Sequence, residues 1–188
     1  MGFFDALFGQ RRPPAARRDD LFRLSTAAAD IEDKLGVQYG GHVGVLLRPL
    51  EAVKFSKLEE DVNQTLALGG ADIKAESHLV TDDLGYHWVI LQADALDSAL
   101  AAVRLTETLL EDGGFTDALT AAAVDFGDVV ILYSYRHGRF YPFCQTGHQR
   151  RDNAREIRVA AQLEPLLPTE KDPSLWYPVW DPPWKGSA

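Results

Sequence analysis

The chain has one cysteine, Cys144, so no intrachain disulfide can form and the core must hold itself by packing. No stretch approaches the roughly 18 apolar residues that a membrane-spanning helix needs. The apolar start, Phe3 to Phe8, is short and precedes its arginines, the reverse of a secretory signal. There is no Cys-x-x-Cys and no pair of histidines one helical turn apart. His42, His78, His87, His137 and His148 are scattered. A metal site would need ligands brought together from separate elements. His78 and His87 could face each other across an expected hairpin, but such pairs are more often surface residues. No metal and no cofactor is therefore expected. Gly-x-Ser-x-Gly and the glycine-rich phosphate loops are also missing, which removes support for the familiar hydrolases and nucleotide binders.

An apolar content of 46%, one tenth of the chain being aromatic, suffices for a packed core in a chain of 188 residues. Net charge is −9, unevenly spread. From Glu59 to Asp128 there are 15 acids and two bases, Lys74 and Arg104. From Arg136 to Arg158 six arginines meet only Asp152 and Glu156. An acidic body with basic patches argues against nucleic-acid binding, which wants a broad positive face. It suits a partner with its own charge pattern, or an anionic membrane surface met by the basic parts.

The order of elements is legible. A helix capped by Ser25, with Ala28, Ile31 and Leu35 inward, stops at Gly36. A strand falls within 37–50. Ser56-x-x-Glu59 reads as a capping box opening a second helix with Leu58, Val62 and Leu66 on one face. Strands at 73–80 and 86–92 flank the turn Asp82-Asp83-Leu84-Gly85, and the second, apolar on both faces, reads as central. A third helix starts at Asp94 or Asp97 and runs to Asp112. Residues 118–126 are ambiguous, since their alanines allow helix but their place before Gly127-Asp128 favours a strand; strands follow at 129–135 and 139–144. Asn153-x-x-Glu156 opens a fourth helix, with Ile157, Ala160 and Ala161 inward. This order predicts an α+β fold: a mainly antiparallel sheet with helices packed against it. The expected organisation is an amphipathic and basic tail at 1–20, one domain at 21–168, and a Pro/Trp-rich strap at 169–188. The strap is too apolar to float free.

The densest chemistry lies between Ile131 and Arg155. Arg136, Arg139, Arg150, Arg151 and Arg155 could converge beside Tyr141 as a partner-binding surface, because Arg and Tyr dominate interface hot spots. The compatible structural reading has Asp152 or Asn153 capping the helix and Arg151 paired with a carboxylate of the body. Cys144 or His137 beside these arginines would be the elements of an alternative, a small-ligand or phosphate-binding enzyme. A small buried residue is the commoner fate of such a cysteine. At the N-terminus, Phe3, Phe4, Leu7 and Phe8 with Arg11 and Arg12 form a second docking candidate, for a membrane or a partner helix.

Several blocks carry a resemblance. They are Met1-Gly-Phe-Phe-Asp-Ala-Leu-Phe-Gly9, Asp20-Leu-Phe-Arg-Leu24, Tyr133-Ser-Tyr-Arg-His-Gly-Arg-Phe-Tyr-Pro-Phe143, Arg150-Arg-Asp-Asn-Ala-Arg-Glu156 and Leu175-Trp-Tyr-Pro-Val-Trp180. Together they resemble the PspA-associated protein family PspAB, almost end to end. The resemblance implies a cytoplasmic, non-enzymatic accessory protein of the phage shock response to cell-envelope stress. It would bind a PspA-like coiled-coil protein, with peripheral contact at the inner face of the cell membrane. The element order also resembles the type III secretion chaperone-like fold of YbjN-type proteins, an α+β platform for protein segments that often forms a homodimer. The family brings no catalytic residues to carry over.

Overall fold

A computed structural model describes residues 18–68 and 73–185. Four helices and a six-stranded antiparallel sheet give the expected α+β architecture. The helices are α1 (Arg23–Leu35), α2 (Ala52–Leu68), α3 (Leu96–Asp112) and α4 (Asn153–Leu163). The sheet strands are β1 (His42–Leu47), β2 (Glu76–Thr81), β3 (His87–Gln92), β4 (Leu119–Phe126), β5 (Val129–Ser134) and β6 (Arg139–Phe143). Their spatial order is β2-β3-β1-β4-β5-β6, so β3 is an interior strand, as its two apolar faces require. A small ribbon, β7 (Gln145–Gly147) with β8 (Arg150–Arg151), follows β6.

Strand alternation divides the sheet into two faces. One presents Val43, Val45, Val89, Leu91, Val124 and Ile131 to the helices, which answer with Ile31, Val62, Val103 and Leu163. Each such fully buried aliphatic side chain contributes about 1.5–3 kcal/mol. The other face presents Trp88, Ile90, Leu132, Tyr141 and Phe143, and among the described residues the α-helices reach it only through Ala160 of α4. Residues 170–185 cover it instead, through Trp176, Val179, Trp180 and Trp184. Gly44 makes this packing possible: a Cβ there would stand 2.6 Å from the Trp184 ring and 2.8 Å from that of Trp88.

Helix starts differ from expectation for physical reasons. Gly36, at φ 66°, closes α1 as predicted. Ser25, however, lies inside α1, and its hydroxyl donates to Asp97 on α3 at 2.6 Å. Two expected caps thus bond each other across helices, and Ala95 occupies the N-cap of α3. α2 begins at Ala52, one turn before Ser56, with the Glu51 carbonyl accepting from Lys54 and Phe55. In α4 the inward residues are Glu156, Val159 and Leu163, and Ile157 is 56% exposed. The helix is rotated because Asp152 caps it and Glu156 must reach partners beneath it. His78 and His87 lie on opposite faces: His78 is opposite Ile90, and His87 stacks on Phe55 at 3.8 Å.

The two sheet edges also differ. Pro168 to Glu170 pair with Phe140 and close the β6 edge, with bonds of 2.9 and 2.8 Å. β2 forms the other edge; its only strand partner among the described residues is β3.

Candidate functional site

The five arginines do not converge. Arg136 and Arg139 lie at the β5–β6 turn, whereas Arg150, Arg151 and Arg155 follow the far end of β6. Five strand residues hold the two groups roughly 17 Å apart. Tyr141, expected on the same surface, is buried under the C-terminal segment.

Two of the far group, Arg151 and Arg155, are spent on structure. Glu156, 1% exposed, accepts from the Cys144 amide at 2.8 Å and from Arg151 Nε at 2.8 and 3.0 Å. Arg151 Nη2 lies 2.5 Å from the same carboxylate, and Nη1 donates to the Trp176 carbonyl at 2.9 Å. One buried ion pair therefore ties the end of β6, the start of α4 and the C-terminal segment together. Trp176 Nε1 adds a bond to the Glu170 carbonyl at 3.0 Å. Arg155 pairs with Asp128 at 2.7 Å. The compatible structural reading of this end, with Asp152 as cap and Arg151 paired, is the arrangement found. Arg150 is exposed.

Cys144 is 1% exposed, and burial pushes its thiol up to about 11, against a small opposing pull from Arg155. A thiolate is scarce there at neutral pH. His137 sits 3.3 Å from Glu170, and both belong to the tie between the β5–β6 turn and the C-terminal segment.

The best-formed hollow lies between the sheet and that segment. It is a cleft of about 110 Å³. Its floor is Leu46, Trp88, Ala121 and Tyr141; its walls are the β2–β3 turn, with Leu84 and Tyr86, and the run Tyr177 to Trp180. Three of its polar side chains, Asp82, Thr120 and Ser134, already have partners. Asp82 accepts from the amides of Leu84 and Tyr86 and from Trp88 Nε1, at 3.0, 2.9 and 3.1 Å. Thr120 Oγ1 donates to the Ala118 carbonyl, and Ser134 Oγ accepts from the His137 amide, both at 3.3 Å. What remains for an occupant is apolar and aromatic surface.

Arg139 borders this cleft. It is opposite Ser134 in the β5–β6 register and two residues before Tyr141 on the same face, and both of those line the cleft. On the opposite side, exposed Asp83 lies in the β2–β3 turn between the lining residues Asp82 and Leu84, the latter 64% exposed. A wider hollow of about 470 Å³ lies on α4 between Leu35, Val129, Arg155 and Arg158, but Arg155 there is tied to Asp128.

Residue patterns alone missed three things. Glu156 reads as a capping-box member and is instead the buried anchor of the C-terminal segment. Leu84 reads as a turn residue and is a cleft wall. Glu107 carries no site signal in its neighbourhood; it is 1% exposed and accepts from Tyr135 at 2.6 Å. Only its place one turn after Val103, on the inner stripe of α3, could have signalled this. The N-terminal docking residues Phe3, Phe4, Leu7, Phe8, Arg11 and Arg12 lie outside the described residues. Among the described residues no three of His, Cys, Asp or Glu converge as a metal site would require, and no helix is long and apolar enough to cross a membrane.

Comparison with curated proteins and with solved structures gives no match. A family model does match, over residues 1–184, which is nearly the whole chain. The chain belongs to the PspAB family, PspA associated protein B.

Proposed function

We propose that this protein is a non-enzymatic accessory factor of the phage shock response that binds a PspA-like coiled-coil protein. The observation that carries the reading is the apolar cleft with exposed Arg139 at its mouth, in a chain whose family is described as PspA-associated. An apolar hollow flanked by a cation suits a charged amphipathic helix, which offers apolar side chains at fixed spacing between charged ones. The binding arginines are then Arg136 and Arg139, Arg151 and Arg155 serve the fold, and Arg150 lies on the surface away from the cleft. The N-terminal Phe3–Arg12 stretch adds peripheral contact with the anionic inner face of the cell membrane. The resemblance to the secretion-chaperone-like fold, a platform for protein segments, accords with this reading. Burial of the Cys144 thiol counts against a nucleophilic enzyme built on the arginines.

Arg139→Glu is the direct test, with binding to purified PspA followed by calorimetry. The expected result is an affinity at least tenfold lower, with Arg150→Glu close to the wild type. Equal affinity for Arg139→Glu and the wild type would contradict this site.

A further inference from the structure

The cleft between the sheet and the C-terminal segment has a size, a lining and a rim that specify its occupant more narrowly. We infer that it takes a single leucine-sized side chain from the partner helix, flanked on that helix by an acid on one side and a base on the other. The inference rests on the proposed PspA binding.

Three observations carry it. The first is volume. About 110 Å³ is smaller than the roughly 150 Å³ apolar cavity that accepts a benzene molecule, so one aliphatic side chain fills it. The second is polarity. Asp82, Thr120 and Ser134 each already hold a hydrogen bond within the protein. A polar occupant would surrender its water without compensation from them, whereas an apolar one loses nothing. The third is the rim. Arg139 stands on the β5–β6 side and Asp83 on the β2–β3 side, both exposed. A helix lying across the mouth meets a positive edge and a negative edge. Such a bipolar rim matches a coiled-coil leucine set between charged neighbours of opposite sign and fixes the direction in which the helix lies.

The cleft also contains its own reporters. Trp88 and Trp180 line it, and the remaining two tryptophans, Trp176 and Trp184, lie on the same sheet face. All the tryptophan emission therefore comes from this side of the molecule, and drying the cleft shifts it to the blue.

The experiment uses the full chain and purified PspA, with affinity from calorimetry and tryptophan emission recorded in parallel against a tryptophan-free PspA. Ala121→Leu fills the floor of the cleft and leaves the surface charge unchanged. Leu84→Asp places a charge on its exposed wall, at a turn position where folding is not at risk. The expected result is a blue shift when wild type binds, and a loss of at least tenfold in affinity with no shift for both variants. Wild-type affinity and an unchanged blue shift in Leu84→Asp would overturn the anchor while leaving PspA binding intact. No binding by the wild type would overturn the functional reading and the anchor with it.

Discussion

The two faces of the sheet are buried by different means. On one, α1 to α4 lay down regular apolar stripes that interlock with valines, leucines and isoleucines. On the other, an irregular segment of prolines and tryptophans lies across the strands, held at a few polar ties, and leaves a cleft. Helices fill a face evenly because their side chains repeat at close spacing. A segment with Pro173, Pro178, Pro182 and Pro183 cannot, since each proline fixes φ and withholds a donor. The lesson is that the face covered by the proline- and tryptophan-rich segment carries an apolar cleft, whereas the wider hollow on the helix side, at α4, is bordered by Arg155 and Arg158.

The sharpest way to break the comparison is to cut the tie that holds the covering segment. Glu156→Ala would leave Arg151 without its buried partner and the Cys144 amide without its acceptor. A loss of about 3–5 kcal/mol is expected from urea unfolding. Hydrogen exchange should rise first around Trp176 and stay low in α1 to α3. A loss below about 1 kcal/mol would mean that the ion pair does not anchor this face.

A smaller effect is expected on the helix face, where Glu107 accepts from Tyr135 and lies 3.6 Å from Arg104. Burial pushes its carboxyl up to about 7 from an ordinary 4.5, against the pull of the Tyr135 bond and Arg104. The folded state therefore holds a proton that the unfolded chain has lost. That contribution to stability is full below pH 4.5 and disappears as pH rises through about 7. Glu107→Gln, always neutral, should flatten this part of the pH profile. Between pH 5 and 8 the wild type should lose roughly 2 kcal/mol relative to the variant in paired denaturation curves. Parallel curves would show that Arg104 and Arg18 hold Glu107 charged throughout.

The antiparallel α+β fold was legible because its signals are local. Leu58, Val62 and Leu66 repeat at helical spacing, β3 is apolar on both faces, and Asp82 to Gly85 is strong turn chemistry. Helix starts were less legible. Ser25 and Asp97 each resemble a cap, but they bond each other, a choice visible only once α1 and α3 lie side by side. The arginines were legible as a group in sequence but not as an arrangement in space. Sequence put five arginines near Tyr141, and the length of β6 then separated them into two groups with different work. The cleft had no signal of its own. Its walls come from residues as far apart as Leu46, Leu84, Ser134 and Val179, and long-range convergence leaves no local pattern.

Hydrogen exchange of the full chain, with and without purified PspA, shows whether the cleft walls are where the partner sits. Added protection is expected at the 82–86 turn, at the β5–β6 turn around Arg136 and Arg139, and at 177–180, with α2, α3 and the Arg150–Arg155 end unchanged. Protection confined to the helix face or to the Arg150–Arg155 end, with the cleft walls unaffected, would contradict that placement.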